Sequence, residues 1–225
     1  GLGGRFALVS RESMLLANNV LLVVATATVL LGTLYPLLVD ALGLGKLSVG
    51  PPYFNAVFVP VMAPLVFMIG VGPFARWKQA SVADLVQVLR LAFIVAVIIA
   101  VLLPFAYGQW TPMVSLGLLL AMWIVVSAKL HFWQRVPATR GDKAFIAAVF
   151  SQPRTFWGMH LAHLGVAIFI IGVTMVGGFQ EEKDVKMAAG DTVTVAGYTF
   201  RFNGVKEVEG PNYVTMRGTV DLLVN

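Results

Sequence analysis

Two histidines lie three residues apart inside an apolar run that is long enough to cross a membrane. The run covers residues 157–177 and contains no Lys, Arg, Asp or Glu. Ionisable side chains are costly inside a bilayer, so those within a span usually bind, relay or pair with something. His160 and His163 share one helix face because residues three apart are neighbours on its surface. Neutral imidazole ligates haem iron and other metals and can relay protons. These three roles stay open, and a buried histidine that only bonds to a neighbouring helix is the structural alternative.

The two histidines are not equivalent. A flat macrocycle needs small residues beside its axial ligand, and three of them occur near His163 in the sequence: Gly158, Ala162 and Gly165. His160 lies about one helical turn from Trp157, where its side chain can reach the interface, so it is the secondary candidate. His131 follows Lys129 within a group of aromatic and polar residues and is interpreted as an interfacial anchor.

Other polar and aromatic residues lie at or within spans. Tyr53 and Asn55 follow a Gly- and Pro-rich turn, and a buried amide needs partners. We expect the two to line a ligand cleft, although a rigid turn with an aromatic anchor explains most of this loop. The adjacent amides Asn18 and Asn19 are interpreted as packing contacts to another helix. Trp123 is the tryptophan deep enough in a span to form the wall of a cofactor site.

The composition is that of an integral membrane protein. Hydrophobic residues make up 58% and charged residues 12% of the 225 residues, against about 25% charged residues in soluble domains. The chain has no Cys, which excludes disulfides, thiolate metal sites and Cys nucleophiles. It shows no catalytic triad, no paired carboxylates and no phosphate-binding loop, so no side chain is predicted to be catalytic.

Five stretches are long and apolar enough to span a bilayer. They are residues 15–39, 53–74, 88–107, 112–130 and 157–177. From residue 180 the chain becomes polar, and residues 192–195 and 198–202 alternate with the period of a strand, while Asn203 and Gly204 give a hairpin-turn signal. The predicted fold is therefore an all-α polytopic membrane region, residues 1–179, followed by the beginning of an all-β domain, residues 180–225.

The basic residues predict the orientation. Ten of them lie at one side of the predicted spans: Arg5, Arg11, Arg76, Lys78, Arg90, Lys129, Arg135, Arg140, Lys143 and Arg154. The short loops on the other side hold only Lys46. Because Lys and Arg favour cytoplasmic loops, the N-terminus is expected inside and the β domain outside, in the periplasm of a Gram-negative cell. The same rule explains the basic loops without a nucleic-acid partner.

Several stretches, taken in order, resemble one family. They read Ser-Arg-Glu followed by Asn-Asn (10–12, 18–19), Leu-Gly-Thr-Leu-Tyr-Pro (31–36), Ser-Val-Gly-Pro-Pro-Tyr-Phe-Asn (48–55), Gly-Pro (72–73), Trp-Gly-Met with Ala-His-Leu-Gly (157–159, 162–165) and Gly-Pro-Asn-Tyr (210–213). Together they resemble the carboxy-terminal half of the CcmF-type cytochrome c haem lyase, the large membrane subunit of the bacterial cytochrome c maturation system. We therefore expect the chain to be an internal piece of a larger inner-membrane protein.

The resemblance implies a cofactor, a substrate and a ligand. Such a protein holds a b-type haem between two membrane histidines and presents a second, incoming haem at its periplasmic face between two more. Of these four histidines, the one in the Ala-His-Leu-Gly context falls on this chain, at His163, and the other axial ligand is expected outside it. Tyr53 and Asn55 are the candidates to face the incoming haem.

The resemblance also implies partners. A haem chaperone delivers haem, and thiol-reducing and apocytochrome-presenting subunits supply apocytochrome c. The complex then forms thioether bonds to the Cys-x-x-Cys-His motif. Two other functions fit the sequence: a paralogous assembly factor for a nitrite-reductase cytochrome, and a proton-coupled membrane transporter without enzyme activity.

Overall fold

The computed structural model describes residues 10–75, 81–106, 110–136 and 142–223. It separates into two compact units, Gly1–Gly178 and Phe179–Asn225. Four of the basic residues used to predict the orientation, and the predicted end of the third span, lie outside the described residues: Arg5, Arg76, Lys78, Arg140 and Tyr107.

The first unit is helical. Its α-helices are α1 (Arg11–Ala41), α2 (Pro51–Val71), α3 (Val82–Ala106), α4 (Pro112–Arg135), α5 (Asp142–Phe150) and α6 (Arg154–Phe179), and a 3₁₀ turn, Gly72–Phe74, extends α2. All of them except α5 are long and apolar enough to cross a membrane. This confirms the predicted multi-pass helical membrane protein.

α1 begins before its predicted span because a polar cap, and not the first apolar residue, sets its start. The Ser10 hydroxyl accepts a hydrogen bond from the backbone N–H of Ser13 and so caps α1. Thr111 caps α4 in the same way, through the N–H of Val114. The short helix α5 was not predicted, since nine residues are too few for a clear periodic pattern.

Trp123 forms the centre of the helical unit. It is 2% exposed and packs with Leu89, Ala92 and Ala96, which joins α4 to α3. Its indole N–H donates to the carbonyl oxygen of Phe67 in α2 at 2.8 Å. Trp123 therefore ties α2, α3 and α4 together as a core residue.

The contact between α1 and α2 depends on one glycine. A Cβ atom at Gly32 would lie 2.7 Å from the ring of Tyr53, so only glycine lets this ring lie on α1. The Tyr53 hydroxyl donates to the carbonyl oxygen of Thr28 at 3.1 Å. Close approach at a small residue combined with one polar bond is a common way for membrane helices to associate.

α6 runs antiparallel along α4. The Gly117 position contacts the side chain of Thr174, and the Gly178 position contacts that of Val114. Further along α6, Ala167 lies in a buried cluster with Ile124 of α4 and Val66 of α2. The face of α6 that carries Ala167 therefore packs on the bundle, while most of the remaining surface of α6 is exposed.

The second unit contains an antiparallel sheet of strand order β1 (Thr192–Val195), β2 (Tyr198–Glu209) and β3 (Val214–Leu223). The turn between β1 and β2 is formed by Ala196 and Gly197, both with positive φ. The predicted hairpin turn at Asn203 and Gly204 is wrong, because β2 continues through these residues with a β-bulge between Phe202 and Gly204. Gly204 has a φ of +101°, and bulges use such glycines as turns do.

The two faces of the sheet differ in polarity. The register of cross-strand pairs places one mainly apolar set of side chains on a single face, together with Glu207 and Glu209 at its end: Val193, Val195, Tyr198, Phe200, Phe202, Val205, Val214, Met216, Val220 and Leu222. The opposite face carries five Thr together with Arg201, Lys206, Arg217 and Asp221, and two apolar side chains, Val208 and Leu223. This alternation is typical of a sheet with one face directed toward a core.

Arg201 and Asp221 form an ion pair on the polar face, with Arg201 Nη2 donating to Asp221 Oδ2 at 2.9 Å. The bond from Arg201, and next a bond with the side chain of Asn203, hold the pKa of Asp221 below its usual value. A carboxylate with a lowered pKa in the folded state stabilises the fold above its unfolded pKa. This contribution is lost as the pH falls through the folded value.

Acidification below a pH of about 4 is therefore expected to lower the hydrogen-exchange protection of backbone amides near Arg201 in β2 and near Asp221 in β3. The change should be small, since both side chains are exposed and water screens the pair. Asp221→Asn is expected to remove this pH dependence. An identical pH profile for the wild-type protein and the variant would contradict the role given to the pair.

Candidate functional site

His163 lies in α6 and is partly buried. Its Nδ1 atom is 2.7 Å from the backbone carbonyl oxygen of Met159, one helical turn earlier. Because a carbonyl oxygen can only accept, Nδ1 carries the proton and Nε2 of the neutral ring keeps its lone pair. No hydrogen bond joins Nε2 to another of the described residues. Histidines that ligate metals are commonly oriented in this way, by a second bond from the other ring nitrogen.

The stripe of α6 that carries His163 faces the bundle. His160 lies one turn before it and Ala167 one turn after it, and both contact α4. Gly158 and Gly165, the small residues expected near His163, do not lie on this stripe. Residues two and five positions away in a continuous α-helix lie on other faces, and the Cβ positions of both glycines have no atom within 4 Å.

His160 is held differently from His163. Its Nδ1 is 2.8 Å from the carbonyl oxygen of Phe156, and its Nε2 is 3.2 Å from that of Ala128 in α4. A neutral ring can donate to only one of these two acceptors, and the lone pair of its other nitrogen then faces a carbonyl oxygen and not open space. The ring also lies 4.2 Å, centroid to centroid, from Phe156. In this geometry His160 joins α6 to α4.

His131 packs against the ring of His160, a contact that the sequence alone does not indicate. Its ring stacks on that of His160 at 5.4 Å and meets Phe74 edge-on at 5.7 Å. Its Nδ1 is buried and has no hydrogen-bond partner among the described residues. The interpretation as a simple interfacial anchor is therefore incomplete. The antiparallel course of α4 and α6 was the signal available, because it brings the end of α4 to the start of α6.

Tyr53 and Asn55 are not brought together. Both belong to α2, and residues two positions apart in a helix point in different directions. Tyr53 packs on α1 through Gly32 and Thr28, whereas Asn55 is exposed. The two side chains therefore do not face each other, and their role as candidates to face the incoming haem stays a prediction. Asn18 and Asn19 bond to each other at 3.5 Å, and within the described ranges neither amide bonds to another helix.

In the described part of the chain, no group of three or more His, Cys, Asp or Glu side chains is arranged to hold a metal ion. A haem needs fewer protein ligands than a bare ion, because the macrocycle itself supplies four nitrogens and the protein adds axial ligands. The oriented His163 ring, with its open Nε2, fits one such axial position.

The comparisons with known proteins cover nearly the whole chain. A family model described as the CcmF C-terminal beta-sandwich matches residues 178–225. A cytochrome c-type biogenesis protein CcmF of Pseudomonas fluorescens is 41% identical over 220 residues, which is 98% of this chain and 33% of that protein. The resemblance to CcmF-type cytochrome c biogenesis proteins is confirmed. The CcmF of Escherichia coli is 44% identical over 208 residues, which is 92% of this chain and 31% of that protein.

The chain spans about one third of the length of the curated CcmF relatives it matches. A protein of Haemophilus influenzae named cytochrome c-type biogenesis protein NrfE is 28% identical over 227 residues, or 98% of this chain and 33% of that protein. No solved structure matches the chain. The small sheet described above lies within the part that the beta-sandwich family model matches.

Proposed function

We propose that this chain acts in cytochrome c maturation, as part of the membrane subunit of a haem lyase complex. The single observation that carries the proposal is the 41–44% identity, across nearly the whole chain, to proteins named for cytochrome c-type biogenesis. The proposed reaction attaches haem to the Cys-x-x-Cys-His motif of apocytochromes c. The proposed partners are a haem chaperone, apocytochrome c, and subunits that reduce its thiols and present it.

His163 is the proposed axial ligand of a transmembrane haem b. The bond from its Nδ1 to Met159 supports this assignment, since it fixes the tautomer and leaves Nε2 available for iron. His160 is disfavoured as a ligand because both of its ring nitrogens face carbonyl oxygens. The second axial histidine is proposed to lie outside this chain.

The chain's own residues would position haem and not perform acid–base chemistry. When bound, a b haem supplies electron transfer, and the protein contributes binding, orientation and a dry environment. Ala167 and its neighbours in the buried cluster set the position of α6 on α2 and α4, and thereby the place of the His163 ring. For the incoming haem, Asn55 is the member of the predicted pair whose amide is exposed.

The proposed location is the bacterial inner membrane, with the β unit in the periplasm. The distribution of basic residues supports this orientation. Among the described residues, Arg11, Lys129, Arg135 and Arg154 lie near the ends of spans on the proposed cytoplasmic side, whereas Lys46 lies in the loop between α1 and α2 on the other side.

The alternative of a nitrite-reductase assembly factor is weaker, because identity to the protein named NrfE is lower than to the CcmF proteins. No observation favours a transporter. A proton path would need polar groups that connect several spans. The hydroxyl groups of Thr26, Thr28 and Thr33 instead bond to carbonyl oxygens of their own helix, α1.

Deleting the gene for the full-length protein is expected to abolish covalent haem in all c-type cytochromes of the cell, because the proposed reaction is common to them. The measurement is haem-peroxidase staining of denatured membrane and periplasmic proteins, with a plasmid-borne copy as the control. Loss of haem from a single nitrite-reductase cytochrome would support the alternative instead. Unchanged staining of every cytochrome would rule out both.

A further inference from the structure

A cavity of about 370 Å³ lies at one end of the helical unit, among the 3₁₀ turn after α2, the first turns of α3 and the last turn of α4. Its volume is within the range of about 300–1,000 Å³ that is common for small-molecule sites. The same three helix ends are the limits of candidate membrane spans. The cavity therefore lies where the apolar layer of a bilayer meets the lipid headgroups.

Among the described residues, two opposite charges line this cavity without pairing. Asp84 comes from the first turn of α3, and Arg135 comes from the last turn of α4. Both side chains are exposed, and neither forms an ion pair with the other or with any of the described residues. Each can therefore form an ion pair with an oppositely charged group of a ligand. The amide of Gln134, which also lines the cavity, can add hydrogen bonds.

This arrangement is complementary to a short zwitterion. The planar guanidinium of Arg135 matches the geometry of a phosphate, to which arginine commonly donates two hydrogen bonds. The carboxylate of Asp84 can accept hydrogen bonds from a primary ammonium. A quaternary choline group has no N–H to donate and is usually held by aromatic cages instead. A headgroup with only negative charge would be repelled by Asp84.

The apolar part of the cavity distinguishes a lipid from a free headgroup. Leu85 and Val88, which lie about one turn apart on α3, line the cavity together with Phe74. Val88 is 40% exposed. These side chains gain nothing from free phosphoethanolamine, but they can cover the glycerol and the first acyl carbons of a phospholipid.

We propose that this cavity binds the headgroup of a zwitterionic phospholipid with a primary ammonium, that is, a lipid of the phosphatidylethanolamine class. The phosphate is held by Arg135, the ammonium by Asp84, and the start of the acyl chains by Leu85, Val88 and Phe74. His163 does not line this cavity, although His131 does, and the proposal holds whether or not His163 binds iron.

The test is native mass spectrometry of the detergent-solubilised full-length protein, titrated separately with phosphatidylethanolamine, phosphatidylcholine and phosphatidylglycerol. Phosphatidylethanolamine is expected to bind most tightly. Arg135→Gln is expected to weaken its binding about fivefold, as for loss of one exposed charge pair. Asp84→Asn is expected to remove the preference over phosphatidylglycerol. Arg135→Lys, which keeps the charge without the planar fork, should lie in between.

Asp40→Asn and Arg154→Gln are matched controls, since they make the same charge changes at exposed positions outside the cavity. Both should bind lipid as the wild-type protein does, and circular dichroism should show equal helix content in all variants. Equal binding of the three lipids would overturn the proposal, as would unaltered binding by Asp84→Asn and Arg135→Gln. Equal occupancy by free phosphoethanolamine would exclude a lipid site.

Discussion

In the full-length protein, His163→Gly is expected to lower the content of bound haem b more than about tenfold. Substituting an outer partner of a metal ligand costs about 10- to 100-fold in affinity, and removing the ligand itself should cost no less. The reason lies in the geometry of His163: its Nδ1–H bond to Met159 leaves Nε2 available for iron. Added imidazole should enter the space left by the ring and restore part of the low-spin absorption spectrum.

His160→Gly is the matched control for this experiment. It lies one turn away on the same stripe of α6 and imposes the same helix penalty of about 1 kcal/mol. Because both nitrogens of His160 face carbonyl oxygens, the haem spectrum should persist in this variant. If His163→Gly kept its haem while His160→Gly lost it, the ligand assignment would pass to His160. If both kept it, the haem would have no axial ligand on this chain.

Trp123→Ala is expected to lower the free energy of unfolding of the helical unit by about 3–5 kcal/mol. The indole is buried, stacks on Phe67 at 5.1 Å, and meets Phe93 edge-on at 5.8 Å. Its N–H bond to the Phe67 carbonyl would also be lost. Unfolding can be followed by circular dichroism as sodium dodecyl sulfate is titrated into mild detergent micelles.

Two further variants separate the contributions of Trp123. Trp133→Ala removes the same side chain from the same helix at a position that is 47% exposed, so its effect should be far smaller. Trp123→Phe keeps an aromatic ring and removes the donor, which should cost about 1 kcal/mol. A Trp123→Ala variant as stable as Trp133→Ala would show that the contact among α2, α3 and α4 does not limit stability.

The membrane spans were predictable because their signal is the length of an apolar run, which neighbouring helices do not alter. The ends of the helices were less predictable, because Ser10 caps α1 ahead of the apolar run that identifies the span. The role of Trp123 could not be inferred, since a deep tryptophan can line a cofactor or fill a core. Trp123 fills a core because Gly70 of α2 leaves room for its indole, which a Cβ atom at that position would overlap.

The candidate site was predicted only in part. The sequence placed His160 and His163 on one face, but it could not show which ring nitrogens bond to carbonyl oxygens. That difference depends on Ala128 of α4, which lies 32 residues away in the chain. His131 was missed for the same reason, because its partner His160 comes from another helix. Asn203 and Gly204 were misread because a turn and a β-bulge require the same backbone conformation.

The bulge at Gly204 acts as a phase shift within β2. Before it, even-numbered residues such as Phe202 lie on the apolar face, and after it odd-numbered residues such as Val205 do. Strict alternation through Asn203, without the bulge, would turn every later side chain of β2 over, so Lys206 would replace Val205 among the apolar residues. Removing the unpaired Asn203 would therefore keep Val205 on the apolar face, whereas removing one residue elsewhere in β2 would turn over the side chains on one side of the gap, a constraint that substitutions do not reveal.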